Sequence, residues 1–324
     1  MQNYSSIQKF LHQIVLGNSF LARSLFEMEK SLFHKKDEII SNAEHVFITG
    51  LPRSGTTILL KALYETGDFA SSTYADMPFV LAPNLFKQFS SKSNLQTKER
   101  AQQDGIELDL TSPEAFDEVF FKAFTQDESH EELQAFVSLI LKKYQKKRYL
   151  SKNNLNYQRI ELISSVFPNA RFLIPFREPL QHAYSLLKQH QHFYKLQKQD
   201  SFVLEYMNLL GHHEFGLNHI AWNPAQQYTD PFSLSYWLEQ WCMFYQNILK
   251  DKSKQSSLVS YSRLCESQEY RQALVTELKL TELTTVFKLA QADIQELFAI
   301  VITKPTYITI VKDAKSGQAN TSSE

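Results

Sequence analysis

Residues 45–57 read His45-Val46-Phe47-Ile48-Thr49-Gly50-Leu51-Pro52-Arg53-Ser54-Gly55-Thr56-Thr57. An apolar run of strand length meets a loop with two glycines, and hydroxyl residues open the next segment. The pattern is a buried strand, a tight turn and a helix start. That geometry turns backbone N–H groups and a helix N-terminus toward an anion, most often a phosphate. The spacing Gly50-x4-Gly55 is that of the nucleotide P-loop, but Thr56 stands where a Walker loop has lysine. The missing lysine points away from a kinase, ATPase or GTPase that grips a γ-phosphate. Arg53, inside the loop, is the cation offered instead. A plain strand-to-helix turn needs neither the arginine nor the cluster of hydroxyls.

Working outward, apolar spacing predicts helices over 4–42, interrupted at Gly17-Asn18, and a helix over 55–66 ended by Gly67. Residues 71–105 are rich in Ser, Asn, Gln and Pro and read as loop with short helix. Helices follow over 131–147 and 155–166, with a short strand at Tyr149-Leu150 between them. Arg171-Phe172-Leu173-Ile174-Pro175-Phe176 is a second strong strand backed by a helix over 179–193. An aromatic-rich helix covers Ser233 to Leu249, and Leu258-Val259-Ser260 is a further short strand. Strands alternating with helices give an α/β fold with a central parallel β-sheet flanked by helices, plus extra N-terminal and C-terminal helices. Ligands in such sheets bind beyond the carboxyl ends of the strands. Arg53 and Arg177 follow the two strong strands at that edge.

The stretch from Phe167 to Leu186 places Arg177 at a strand end and Ser185 within the following helix. An arginine fork and a hydroxyl can hold a phosphate that the first loop does not reach. Together with the loop at 50–57, this pair resembles the two nucleotide signatures of the sulfotransferases that use 3′-phosphoadenosine-5′-phosphosulfate. Ser151-Lys152-Asn153-Asn154 lies between them and is similar to the segment that supplies a catalytic lysine in the tyrosylprotein-type branch. The resemblance covers about residues 45–187, with weaker agreement at 236–241 and 258–264. It implies a P-loop-like sulfotransferase fold and sulfuryl transfer to a hydroxyl or amine, with adenosine 3′,5′-bisphosphate as product. Ser54, Gly55, Thr56 and Thr57 would hold the 5′-phosphate, and Arg177 with Ser185 the 3′-phosphate. Arg53 and Lys152 would flank the transferred group. For the base, the register of the tyrosylprotein-type branch falls on Tyr74. Bacterial relatives with an Asp-Met-Pro-Phe segment favour Asp76 as the catalytic base, with Glu114 second. The cytosolic branch has a C-terminal glycine loop over its cofactor, which Lys312 to Gly317 does not match. A non-catalytic nucleotide-binding or interaction protein on the same fold is the alternative function.

His212, His213 and His219 invite a metal reading, but their spacing is not that of a helical zinc pair and no thiolate lies close. No metal is expected; the cluster reads as substrate-contacting or structural. The run of Lys142, Lys143, Lys146, Lys147 and Arg148 reads as a solvated helix end.

A chain of 324 residues, 43% of them hydrophobic, buries a large core without disulfides or metals. We expect one domain over 1–324, with a helical segment over 1–42 and a frayed tail over 312–324. A formal charge of −1 gives no global field toward nucleic acid or an anionic membrane. Two cysteines make no disulfide framework and fit a reducing compartment. No signal-peptide pattern opens the chain, and no apolar run approaches the roughly 20 residues of a membrane span, so the expected setting is cytoplasmic. The expected partner is a small-molecule, glycan, lipid or peptide acceptor, shaped by segments 71–125 and 195–232.

Overall fold

The computed structural model describes residues 6–34, 38–87, 98–99, 107–224, 227–250, 255–285 and 287; the tail expected to fray over 312–324 lies outside them. In chain order come α1 (Ser6–Gly17), α2 (Ser19–Phe33), α3 (Glu38–Ser41), β1 (Val46–Ile48), α4 (Thr56–Glu65) and β2 (Phe69–Ala70). Two-residue strands β3 (Lys98–Glu99) and β4 (Glu107–Leu108) pair with each other, and α5 (Asp117–Ala123) and α6 (Gln126–Tyr144) follow. The second half holds β5 (Arg148–Lys152), α7 (Ile160–Val166), β6 (Arg171–Phe176), α8 (Pro179–Gln199) and α9 (Ser201–Leu210). It ends with α10 (Leu234–Lys250), β7 (Ser256–Ser260), α11 (Tyr261–Glu266) and α12 (Gln268–Glu277). Among the described residues no helix is long and apolar enough to cross a membrane.

Five strands form one parallel sheet in the order β2-β5-β1-β6-β7. Central β1 is apolar throughout because both its faces are covered. Phe47 packs with Phe167 and Phe172 in the core formed with α2, α5, α6 and α7. Val46 and Ile48 face the other way, onto Leu59, Leu60 and Leu63 of α4 and Leu274 of α12. A third cluster around Trp237 joins α8, α9 and α10 to Leu51 and Ile174. At the amino end of the sheet, His45 accepts from the Tyr149 N–H (2.9 Å) and donates to the Ile40 carbonyl (2.8 Å). Burial pulls its pKa down to about 4, which keeps this bridge neutral.

The observed elements lengthen several expected ones, for local reasons. Helix α6 begins at Gln126, five residues before the expected start, because Thr125 and Glu128 form a reciprocal capping box. Helix α8 runs on to Gln199, and α9 follows it at once, capped by Asp200 on the Phe202 N–H. The expected break at Gly17-Asn18 is real: the Asn18 side chain accepts from the Leu21 N–H at 3.1 Å and starts α2.

One buried carboxylate ties helix α2 to residues 84–85. Glu29 is fully buried and accepts from the N–H groups of Asn84 (2.8 Å) and Leu85 (2.9 Å) and from the Asn84 amide (2.6 Å). Hydrogen bonds to a charged group contribute roughly 1.5–3 kcal/mol, and buried donors left unpaired cost a similar amount. Glu29→Ala should therefore lower unfolding free energy by about 3 kcal/mol in urea titration, and Glu29→Gln by less.

Candidate active site

The loop between β1 and α4 bends sharply. Gly50 has φ +133°, Arg53 +69° and Gly55 +106°. A side chain at Gly55 would fail twice: its φ is left-handed, and a Cβ there would lie 2.4 Å from the Tyr261 ring. Ser54 is fully buried, and its hydroxyl has no hydrogen-bond partner. Thr56 and Thr57 begin α4 and are both buried. The first N–H groups of a helix have no partner within it, so this turn offers donors at the carboxyl edge of the sheet.

Groups from β6, α8 and α11 hold the loop in place. The buried His182 ring donates from Nε2 to the Pro52 carbonyl at 2.8 Å. Arg177 donates from Nη1 to the Arg53 carbonyl at 3.2 Å, and Arg53 Nε donates to the Ser185 hydroxyl at 3.2 Å. The Arg177 guanidinium carbon lies 5.7 Å from the centre of the Tyr261 ring. The expected residues Arg53, Ser54, Gly55, Arg177 and Ser185 thus form one connected cluster. Tyr261 is the member that sequence reasoning leaves unassigned; its signal is an aromatic residue directly after a short strand.

Strand β5 delivers a second cation. Its register pairs Lys152 with Ile48, just before the loop. Lys152 Nζ donates to Glu114 Oε1 at 2.8 Å, with the two side chains 9% and 12% exposed. Beneath it, the buried Asp117 accepts from the hydroxyls of Tyr149 (2.6 Å) and Ser151. Burial pushes the Asp117 carboxyl up to about 6 against those hydrogen bonds. Asn153 donates to the Ile48 carbonyl (3.1 Å) from its backbone and to Glu118 (2.8 Å) from its side chain.

Asp76 is placed differently from Lys152. Its side chain is 0% exposed. It accepts from the Thr73 N–H (2.7 Å), the Tyr144 hydroxyl (2.6 Å) and Lys143. Both oxygens are thereby occupied, and the expected solvated Lys143 is a buried partner of that carboxylate. Glu114 reaches the edge because the Glu114 N–H donates to the Ser72 carbonyl at 3.0 Å, tying segment 109–116 to segment 71–77. Tyr74 donates to Glu114 Oε2 at 3.4 Å.

The histidines resolve into separate partners. His219 lies 2.7 Å from the Glu214 carbonyl and 2.6 Å from the Tyr236 hydroxyl. His212 Nδ1 is 3.5 Å from Glu214 Oε2, and Asn154 donates to Glu214 Oε1 at 3.2 Å. Among the described residues no group of three His, Cys, Asp or Glu side chains converges as metal ligands would.

Burial drives the His182 pKa down from 6.5 to about 3; the Pro52 carbonyl opposes this, and Arg177 and Arg53 reinforce it. A base whose folded pKa is depressed contributes stability in full above its unfolded value and loses it as pH falls toward the folded value. The window here runs from 6.5 down to about 3. The midpoint of thermal unfolding should fall across that window, and His182→Gln, which can donate without titrating, should flatten the fall.

The family model described as "Sulfotransferase family" matches residues 45–270. No curated protein sequence matches the chain. Among solved structures, sulfotransferase STF9 from Mycobacterium avium is similar at 12% identity and TM-score 0.46, over 82% of this chain and 70% of that one. Sulfotransferase STF1 from Mycobacterium tuberculosis H37Rv is similar at 15% identity and TM-score 0.41, over 94% and 85%. A sulfotransferase from Alicyclobacillus acidocaldarius is similar at 13% identity and TM-score 0.41, over 85% and 95%. The family match spans more than half of the chain and takes in the loop, Lys152, Arg177 and Tyr261 alike: the chain belongs to the sulfotransferase family.

Proposed function

We propose that the protein transfers a sulfuryl group from 3′-phosphoadenosine-5′-phosphosulfate to a hydroxyl or amine of its acceptor by in-line displacement. The observation that carries this reading is the meeting of two cationic clusters at one sheet edge. Arg53, Arg177 and Ser185 stand on one side of the β1–α4 loop, and Lys152 ends the neighbouring strand β5 on the other.

The residues fit the donor. The buried Ser54 hydroxyl is a polar group lacking a partner within the loop. The donor supplies an activated sulfuryl group on a phosphate leaving group. The N–H groups of residues 54–57 and the hydroxyls of Thr56 and Thr57 bind the 5′-phosphate. Arg177 and Ser185 bind the 3′-phosphate; a guanidinium carries five donors, so its bond to the Arg53 carbonyl is compatible with that grip. Arg53 and Lys152 stabilise negative charge that grows at the bridging oxygen, where fixed cations in a dry site act most strongly.

In this reading Asp76 shapes the wall of the site rather than the reaction, because its carboxylate is fully occupied. Glu114 is the carboxylate of the reacting edge, and it orients Lys152.

Calorimetry of adenosine 3′,5′-bisphosphate against adenosine 5′-monophosphate tests the donor. Wild type should prefer the bisphosphate, and Arg177→Ala should lose that preference through a penalty of roughly 1.5–3 kcal/mol. Equal binding of the two nucleotides, or none, overturns the reading. Lys152→Ala should keep bisphosphate affinity while donor turnover with phenol, glucose or a primary amine falls roughly tens to hundreds of fold.

A further inference from the structure

The segment after α9 is built with more care than a connecting loop needs. Gly211 caps α9 with φ +76°. The Leu217 N–H donates to Gln197 Oε1 at 2.6 Å, and a Cβ on Gly216 would lie 2.1 Å from that same oxygen. His219 pins the segment to Tyr236 of α10. The result is a loop fixed from α8, α9 and α10 that carries Glu214 to Asn154, two residues beyond Lys152. Glu214 is 12% exposed, and its other oxygen faces Nδ1 of His212, whose side chain is 40% exposed.

We propose that His212 takes the proton from the incoming acceptor hydroxyl and that Glu214 is its positioning residue. This role presupposes the sulfuryl transfer proposed above. With Nδ1 turned to Glu214, Nε2 is the ring atom left to meet an acceptor. The two carboxylates nearest the edge are poorer bases. Glu114 already binds Lys152 and Tyr74, so protonating it would release the lysine. Asp76 is closed off by Thr73, Lys143 and Tyr144.

Three charged groups act on His212: Glu214 on its own loop, Lys152 at the end of β5, and Glu114, the partner of Lys152. Glu118 and Lys122 of α5 lie against Gly211, with Glu118 paired to Arg159. Burial works against the imidazole charge, and Glu214 outweighs it, so the His212 pKa is raised. Burial also works against the Glu214 charge, but His212 and Asn154 outweigh it and hold Glu214 at about 2, ionised throughout the working range. In the step itself, the acceptor oxygen bonds to sulfur as its proton passes to Nε2 of neutral His212. The bond from sulfur to the bridging oxygen breaks, and its electron pair stays on the departing adenosine 3′,5′-bisphosphate. The imidazolium then returns its proton to water.

The test is donor turnover with water and with phenol as acceptors, across the range of about pH 5 to 8 in which histidines titrate. The wild-type rate should rise with pH through the His212 pKa. Glu214→Gln should move that acid limb to lower pH, because the proton on His212 loses its carboxylate. The His212 Cε1 proton titration, followed by NMR, should move the same way. His212→Ala should lower kcat by about 10²–10³-fold and erase the limb while bisphosphate affinity stays unchanged. His212→Gln, which can still hydrogen-bond Glu214, should lose as much and so separates chemistry from folding. Turnover of both His212 variants within about threefold of wild type overturns the role. So does an acid limb that stays in place in Glu214→Gln while the NMR titration moves. Wild type that neither binds the bisphosphate nor consumes the donor instead overturns the sulfuryl-transfer reading, whatever His212 does.

Discussion

Two carbonyl oxygens, those of Pro52 and Arg53, hold the candidate site together. They accept from His182 of α8 and from Arg177, which directly follows β6, rather than from the loop itself. Gly50 and Gly55 adopt positive φ freely, but Arg53 at φ +69° holds a backbone conformation that is costly for a residue with a Cβ. Fixing the loop's carbonyls from outside holds it at the carboxyl edge of the sheet. Burial keeps His182 neutral against the pull of the Pro52 carbonyl, and the two arginines reinforce it: a charged imidazole beside Arg53 and Arg177 would add a third cation without solvent. The candidate site is therefore a product of β1, β6, α8 and α11 together, and no single motif would suffice.

Compensation of charge is the second constraint. In the proposed reading the site receives a highly anionic donor and so gathers cations, and gathered cations repel when nothing is bound. Here Lys152 is matched by Glu114, His212 by Glu214 and Arg159 by Glu118, all around the end of β5. Asp117 beneath Ser151 adds a buried carboxylate anchored by two hydroxyls. Ordering these pairs before any ligand arrives removes reorganisation from the reacting step, which is where preorganised electrostatics contribute most.

The sheet and the loop are legible in the sequence because their signals are local. Val46-Phe47-Ile48 and Phe172-Leu173-Ile174 are continuous apolar runs, and the glycines of the loop mark left-handed backbone. Arg53, Arg177 and Ser185 follow those runs directly, so topology alone brings them to one edge. Along the chain, Asp76 stands ahead of Glu114 as a base because it lies nearer the expected register. The structure instead turns Asp76 inward to Lys143 and Tyr144, residues of α6 that no local pattern ties to it. Glu114 meets Lys152 through pairing of segments 71–77 and 109–116, a long-range contact without periodicity. Helix α9 escapes sequence reading because it follows α8 without a break, separated only by the cap at Asp200.

The pairing of His212 with Glu214 shows why spacing misleads for histidines in loops. A helical metal pair needs both rings on one face, and residues 212–219 fail that test as a sequence. The failure excludes a helical site but says nothing of what the rings do. Their partners come from elsewhere: Tyr236 for His219, and a carboxylate held by Asn154 for His212. Three helices fix the loop, the His212 side chain stays 40% exposed, and its carboxylate partner is tied to Asn154, just beyond the strand that carries Lys152. A structural histidine would be served as well by a hydroxyl partner, as His219 is. An ionised carboxylate on one ring nitrogen, with the side chain partly exposed, is an arrangement suited to moving a proton.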